Sequence, residues 1–169
     1  LRLDACGFLE GVVEGSEVHE LRACEAFPFS WPGEFVELRG AGRCTLVRDG
    51  QPFTAGGVPV APHDLAHVVM VDGSPGPPNT GFVIADTLFH PGDGIELAGL
   101  EVPAAAVPIA GPSISFHAAY RFVRQLGAEH VIPMHYDVFL ADPAQFASAC
   151  DLAEVHVLAD TESLELPTG

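Results

Sequence analysis

Two imidazoles and one carboxylate offer the plainest chemistry in this sequence: His67, Asp93 and His135. Each lies at or next to the end of a short apolar run. His67 abuts residues 68–71 (VVMV), His135 closes 131–134, and Asp93 follows 87–89 in the turn His90-Pro91-Gly92-Asp93-Gly94. Strand ends in a layered α/β protein converge on one edge, where sites are usually built. Two imidazoles and a carboxylate meeting there, with coordination positions left open, suit zinc or a harder divalent ion such as manganese.

The chain has eight histidines, at 19, 63, 67, 90, 117, 130, 135 and 156, and a lone histidine is more often an ordinary polar group than a ligand. His63 and His67 form H-x-x-x-H, a relative of the zinc-protease pattern, but that pattern requires a helix so that both rings share a face. Pro59 and Pro62 precede it and VVMV follows, so the context is strand and turn. His90 reads as a neighbour of Asp93 or as a turn histidine bonded to backbone. His117 falls near a helix start. Asp137 is placed either to orient the His135 ring or to cap the next loop. His19, His130 and His156 read as ordinary surface or strand residues.

The elements that must position these groups are clearest after residue 50. Asp49-Gly50 and Gly56-Gly57 are turn signals. Residues 58–61, 68–71, 81–85, 87–89, 104–109, 131–134 and 155–158 read as strands, with Asp86 near a bend. Phe116, Ala119, Tyr120, Val123 and Leu126 recur at three- and four-residue steps, the apolar face of a helix over 115–126. Ser113 or Ser115 would cap it and Gly127 would end it. Residues 143–150 form a second helix with Pro143 in its first turn. Strands followed by strand–helix–strand–helix–strand define an α/β layered domain. Residues 1–50 carry a mixed, polar pattern, in which 11–13 and 35–38 are short strand candidates and residues 27–33 read as a loop.

Apolar content of 48% excludes a disordered chain, and 169 residues suit a single domain with a real core. No apolar run approaches the roughly 20 residues of a membrane span, and no basic-then-apolar leader opens the chain, so the expectation is a cytoplasmic protein without a membrane partner. The formal net charge is −16 and all seven cations are arginines, which argues against nucleic acid as a partner. A small-molecule substrate is expected instead, and an anionic one would need local help from a cation. Cys6, Cys24, Cys44 and Cys150 form no C-x-x-C pair and read as buried thiols rather than a disulfide framework.

Three stretches, "GQPFTAGGVPVAPHDLAH", "PPNTGFVIADTLFHPGDG" and "EHVIPMHYD", resemble the metallo-β-lactamase fold, and within it the metal-dependent hydrolases that include the ascorbate-phosphate lactonases. In that family a ligand histidine is followed about a dozen residues later by Asn-x-Gly, a spacing matched by His67 and Asn79-Thr80-Gly81. The bridging aspartate in a Gly-Asp turn maps to Gly92-Asp93, and the last ligand histidine, in Pro-x-His, to His135. The resemblance covers residues 51–169 and implies part of a layered αββα architecture. It further implies hydrolysis of an ester, lactone, amide or phosphoester by hydroxide, made from a water whose pKa two cations lower to about 7. Asp93 would then be catalytic, bridging the cations, with His90 and the loop 111–115, including Ser113, against the substrate.

The family's H-x-H-x-D-H motif is missing, for this chain contains no H-x-H and no D-H pair. Two further readings follow. One is a truncated or degenerate, non-catalytic relative, in keeping with a first residue that is leucine, and with exposed apolar surface that would favour a homo-oligomer. The other is a protein that binds one metal through His67, Asp93 and His135 with a fourth ligand such as His63.

Overall fold

The apolar runs after residue 50 become the strands of one sheet. In a computed structural model of the protein, the described residues are 50–166 apart from 56, 78, 138 and 160, together with four two-residue strands nearer the start. Those are β1 (Arg2–Leu3) paired with β2 (Leu9–Glu10), and β3 (Val13–Glu14) paired with β4 (Glu17–Val18), both antiparallel. The strand candidate at 11–13 thus meets β3 at Val13. The candidate at 35–38, the loop 27–33, His19 and Cys6, Cys24 and Cys44 lie outside the described residues. Cys150 is a buried free thiol.

The main sheet begins with β5 (Phe53–Ala55), β6 (Val58–Asp64), β7 (Thr80–Ile84) and β8 (Leu88–His90), an antiparallel meander. Ala85 and Asp86, both at φ 53°, form the β7–β8 turn, the two positive φ values of a type I′ hairpin. Thr87 closes it, its amide donating to Ile84 at 3.1 Å and its hydroxyl to the Ala85 carbonyl at 2.9 Å. From β8 onward the sheet is parallel: β9 (Ala104–Pro108), β10 (His130–Met134) and β11 (Glu154–Val155). Between them run α1 (Phe116–Leu126) and α2 (Pro143–Ala149), the crossovers that parallel pairing requires.

Helix ends follow the local chemistry. Ser115, not Ser113, caps α1, its hydroxyl accepting the Ala118 amide, and Gly127 ends it in the left-handed region at φ 59°. Asp142 caps α2 ahead of Pro143. No helix among the described residues is long and apolar enough to cross a membrane.

The sheet is apolar on both faces. Val83, Phe89, Ala105, Val107 and Val131 pack against Ala119, Phe122, Val123 and Leu126 of α1 and against Phe146 of α2. On the opposite face Val60, Phe82 and Ile84 form one cluster, while Leu88, Ala104 and Ile132 meet Leu158, Leu164 and Leu166. Burial on both sides is why β9 reads as an unbroken apolar run rather than an alternation.

Two strand expectations are corrected. Residues 68–71 are not a strand: the chain folds back there, with the Gly73 amide donating to Met70 and the Met70 amide to Ser74, each at 2.9 Å. The Ser74 hydroxyl and amide both bond Asp72 and hold its carboxyl below the usual range. The closing strand is only β11, because pairing stops at Val131↔Val155.

The register fixes where a site can form. β6, β8, β9 and β10 all run in the same direction, so their carboxyl ends share one edge of the sheet, with the start of β7 beside them.

Candidate metal centre

His67 lies three residues beyond β6 and forms an isolated antiparallel bridge with Gly94, just beyond the Gly-Asp turn that follows β8. That bridge brings the His67 ring to Asp93, with Nε2 at 3.1 Å from Oδ2. The other carboxylate oxygen, Oδ1, is 3.7 Å from Nε2 of His135. Residues separated by up to 68 positions (135 − 67) therefore meet around one carboxylate, which offers a different oxygen to each ring.

Both rings are held from behind. The Nδ1–H of His67 donates to the Val68 carbonyl at 2.7 Å, and that of His135 to the Ala110 carbonyl at 2.8 Å. These bonds place the proton on Nδ1 and leave the Nε2 lone pair facing Asp93. A lone pair opposite a carboxylate oxygen repels it unless a cation, either a proton or a metal ion, lies between them. Each side of Asp93 thus presents one imidazole nitrogen and one carboxylate oxygen, a donor pair that fits part of the coordination shell of a divalent ion. His135 also sits at φ 63°, an uncommon backbone state for a residue with a side chain. A non-glycine residue held there costs about 1–3 kcal/mol, and such strain clusters at functional positions.

Asn79 braces the aspartate turn. Its buried amide group donates to Pro91 at 2.9 Å and to Leu65 at 3.5 Å, while its oxygen accepts the Asp93 amide at 3.3 Å. One side chain thus ties the segment after β6 to the turn after β8, and this gives the Asn-x-Gly pattern its physical content. The glycine of that pattern, Gly81, has no room for a side chain: a Cβ there would lie 2.8 Å from the Phe89 ring. Gly94 is similarly confined, since a Cβ would fall 2.4 Å from Leu65 and 2.8 Å from Nδ2 of Asn79. In the sequence Asn79 stands out only by its spacing from His67, and its bracing role emerges from these contacts.

The remaining candidates fall as follows. His90 is buried, and its Nδ1 accepts the Gly92 amide at 3.2 Å, bracing the same turn. Ser113 is exposed in the turn between Gly111 and Ile114, and His117 is exposed in the first turn of α1. His63 belongs to β6, its ring edge-on to Phe89 with centroids 6.2 Å apart, so the helical H-x-x-x-H arrangement does not exist here. The Phe139 ring lies 5.1 Å from that of His135 between centroids. His130 and His156, read from sequence as ordinary residues, adjoin each other, with Nδ1 and Nε2 3.1 Å apart.

No family model matches the chain. Over 99 residues it is 36% identical to a UPF0173 metal-dependent hydrolase of Alkaliphilus metalliredigens, an alignment covering 51% of this chain and 43% of that protein. The chain thus spans less than half the length of this curated relative. Among solved structures it is similar to Igni18, a metallo hydrolase of Ignicoccus hospitalis, with TM-score 0.58 and 26% identity over 73% of this chain and 60% of that one. It is also similar to the metallo-β-lactamase fold protein YhfI of Bacillus subtilis, with TM-score 0.50 and 14% identity over 70% and 54% of the two chains. The mixed sheet, its two helices on one face and these likenesses together make the described region part of a metallo-β-lactamase fold.

Proposed function

We propose that the chain forms the Asp93 side of a metal-dependent hydrolase centre acting on an ester, lactone, amide or phosphoester. The observation that carries this reading is the carboxylate of Asp93 lying between two Nε2 atoms whose rings are anchored through Nδ1. Zinc or manganese would be held by His67 and Asp93 on one side and by Asp93 and His135 on the other. When bound, such ions acidify water and polarise the oxygen that gains charge during hydrolysis. Asp93 orients the attacking water as a hydrogen-bond acceptor. The Val68 and Ala110 carbonyls keep the two imidazoles aimed at it, and Asn79 with His90 prevents the Gly92-Asp93 turn from rotating. Support for hydrolysis comes from the likeness to a UPF0173 metal-dependent hydrolase and to the metallo hydrolase Igni18.

A second reading, metal binding without turnover, is favoured by one specific observation: among the described residues the centre brings together three protein donors, fewer than two ions need. One experiment separates the readings. The purified chain and Asp93→Ala are loaded with Zn²⁺ or Mn²⁺, dialysed and analysed for bound metal. Both are then assayed on an aryl ester, a lactone, an amide and a phosphodiester. Hydrolysis that falls at least about 100-fold in the variant, together with a lost ion, supports the hydrolase. A lost ion without turnover in either protein supports the binding role. Equal metal content in both proteins overturns both readings.

A further inference from the structure

The opposite end of the same sheet carries a second group of donors. His130 opens β10 and Glu154 opens β11, and the two are direct partners in the parallel register. His156 follows Glu154 by two residues, so both side chains stand on one face of the chain there, beside His130. Nδ1 of His130 lies 3.1 Å from Nε2 of His156 and 3.6 Å from Oε2 of Glu154. The second Glu154 oxygen is 4.0 Å from Nδ1 of His156. Among the described residues this is the one three-residue group of His, Cys, Asp and Glu offering a donor atom from each, all within 4.8 Å of one another.

We infer that His130, Glu154 and His156 form a second metal site, taking a zinc-like divalent ion that fastens β11 to β10. Two imidazoles and one carboxylate suit zinc and its first-row neighbours, whereas magnesium and calcium call for oxygen donors. With Zn–N bonds of 2.0–2.1 Å, two donors of a tetrahedral ion stand about 3.3 Å apart, and the distances of 3.1 and 3.6 Å from Nδ1 of His130 bracket that value. Neither imidazole is freely exposed, their side chains retaining 25% and 16% of full exposure, while Glu154 at 69% leaves the site open to ions from solvent. A hydrogen bond between the facing nitrogens needs one ring to donate and the other to accept, and a bound ion would take the place of that proton. β11 is a two-residue edge strand, so a ligand bridge across it holds the element where few backbone bonds do. This site is separate from the Asp93 centre: five residues of β10 run from His130 to His135, about 16 Å at strand rise.

The test uses the full chain carrying Asp93→Ala, which disables the first centre, titrated with Zn²⁺ by calorimetry and with Co²⁺ by visible absorption. One ion per chain is expected, with affinity reduced at least tenfold by His130→Ala or His156→Ala and less by Glu154→Gln. Zn²⁺ should raise the unfolding midpoint, and His156→Ala should abolish that rise. Imidazole NMR of the unsubstituted chain gives a reading that does not depend on variants folding, because the His130 and His156 resonances should shift together on adding Zn²⁺. No saturable binding in Asp93→Ala, affinity indifferent to His156→Ala, or unmoved resonances of both rings would each overturn the site.

Discussion

At the scale of single residues, the Asp93 centre depends on small side chains as much as on donors. Gly76 lies against the His67 ring: a Cβ there would come within 2.2 Å of Nδ1, the atom bonded to Val68. Gly76 lacks the positive φ that would penalise alanine, but the added Cβ would also fall 2.7 Å from the His67 Cβ, so Gly76→Ala displaces the whole His67 side chain. The expected outcome is retention of the fold with at least tenfold weaker metal binding at the Asp93 centre, about 1.4 kcal/mol. Circular dichroism and metal titration of a His156→Ala background, in which the sheet-edge site is silent, check it. That His67, Asp93 and His135 meet was legible in the sequence, because each stands beside an apolar run and near a strand end on the same edge of the sheet. Asn79 shows there only as part of the Asn-x-Gly spacing and Gly76 not at all, since the contacts they make exist only after folding. His130 and His156 were passed over because 26 positions separate them, and only the parallel register of β10 and β11 makes them neighbours.

At the scale of elements, local chemistry is mostly consistent with the fold, and the exceptions are informative. The β7–β8 turn places Ala85 at φ 53°, where an L side chain carries a cost of about 1–2 kcal/mol. Ala85→Gly removes that cost and returns part of it as unfolded-chain entropy, so a net gain of about 0.5–1 kcal/mol is expected. Chemical denaturation with an unchanged slope would show it, while a loss of stability would mean that the turn is not strained. The VVMV run shows the limit of reading elements from apolar content alone. Four consecutive apolar residues have strand character, yet a strand also needs a partner edge, and this segment turns back on itself through Met70, Gly73 and Ser74. Val69 and Val71 consequently stand 53% and 80% exposed beside the His67 segment, which propensity could not foretell. The helices were legible to within a residue or two, because α1 satisfies the 3.6-residue period and carries recognisable start and stop signals at Ser115 and Gly127.

For the whole molecule, the change from antiparallel to parallel pairing at β8 has a consequence in time. The meander brings His67 to Asp93 across 26 positions, using only neighbouring hairpins. His135 joins them only after β9 and β10 pair around α1, a more distant closure of the chain. Short-range pairings form faster than long-range ones. Pulsed hydrogen exchange during refolding should therefore protect the amides of residues 80–90 ahead of those of 130–134, and the opposite order would refute the scheme. The centre would then be born in halves, with a carboxylate and one ring waiting in a nascent hairpin for a late-arriving partner. Any ion present during refolding would meet the incomplete pair first and act as a template for the last strand to find its place.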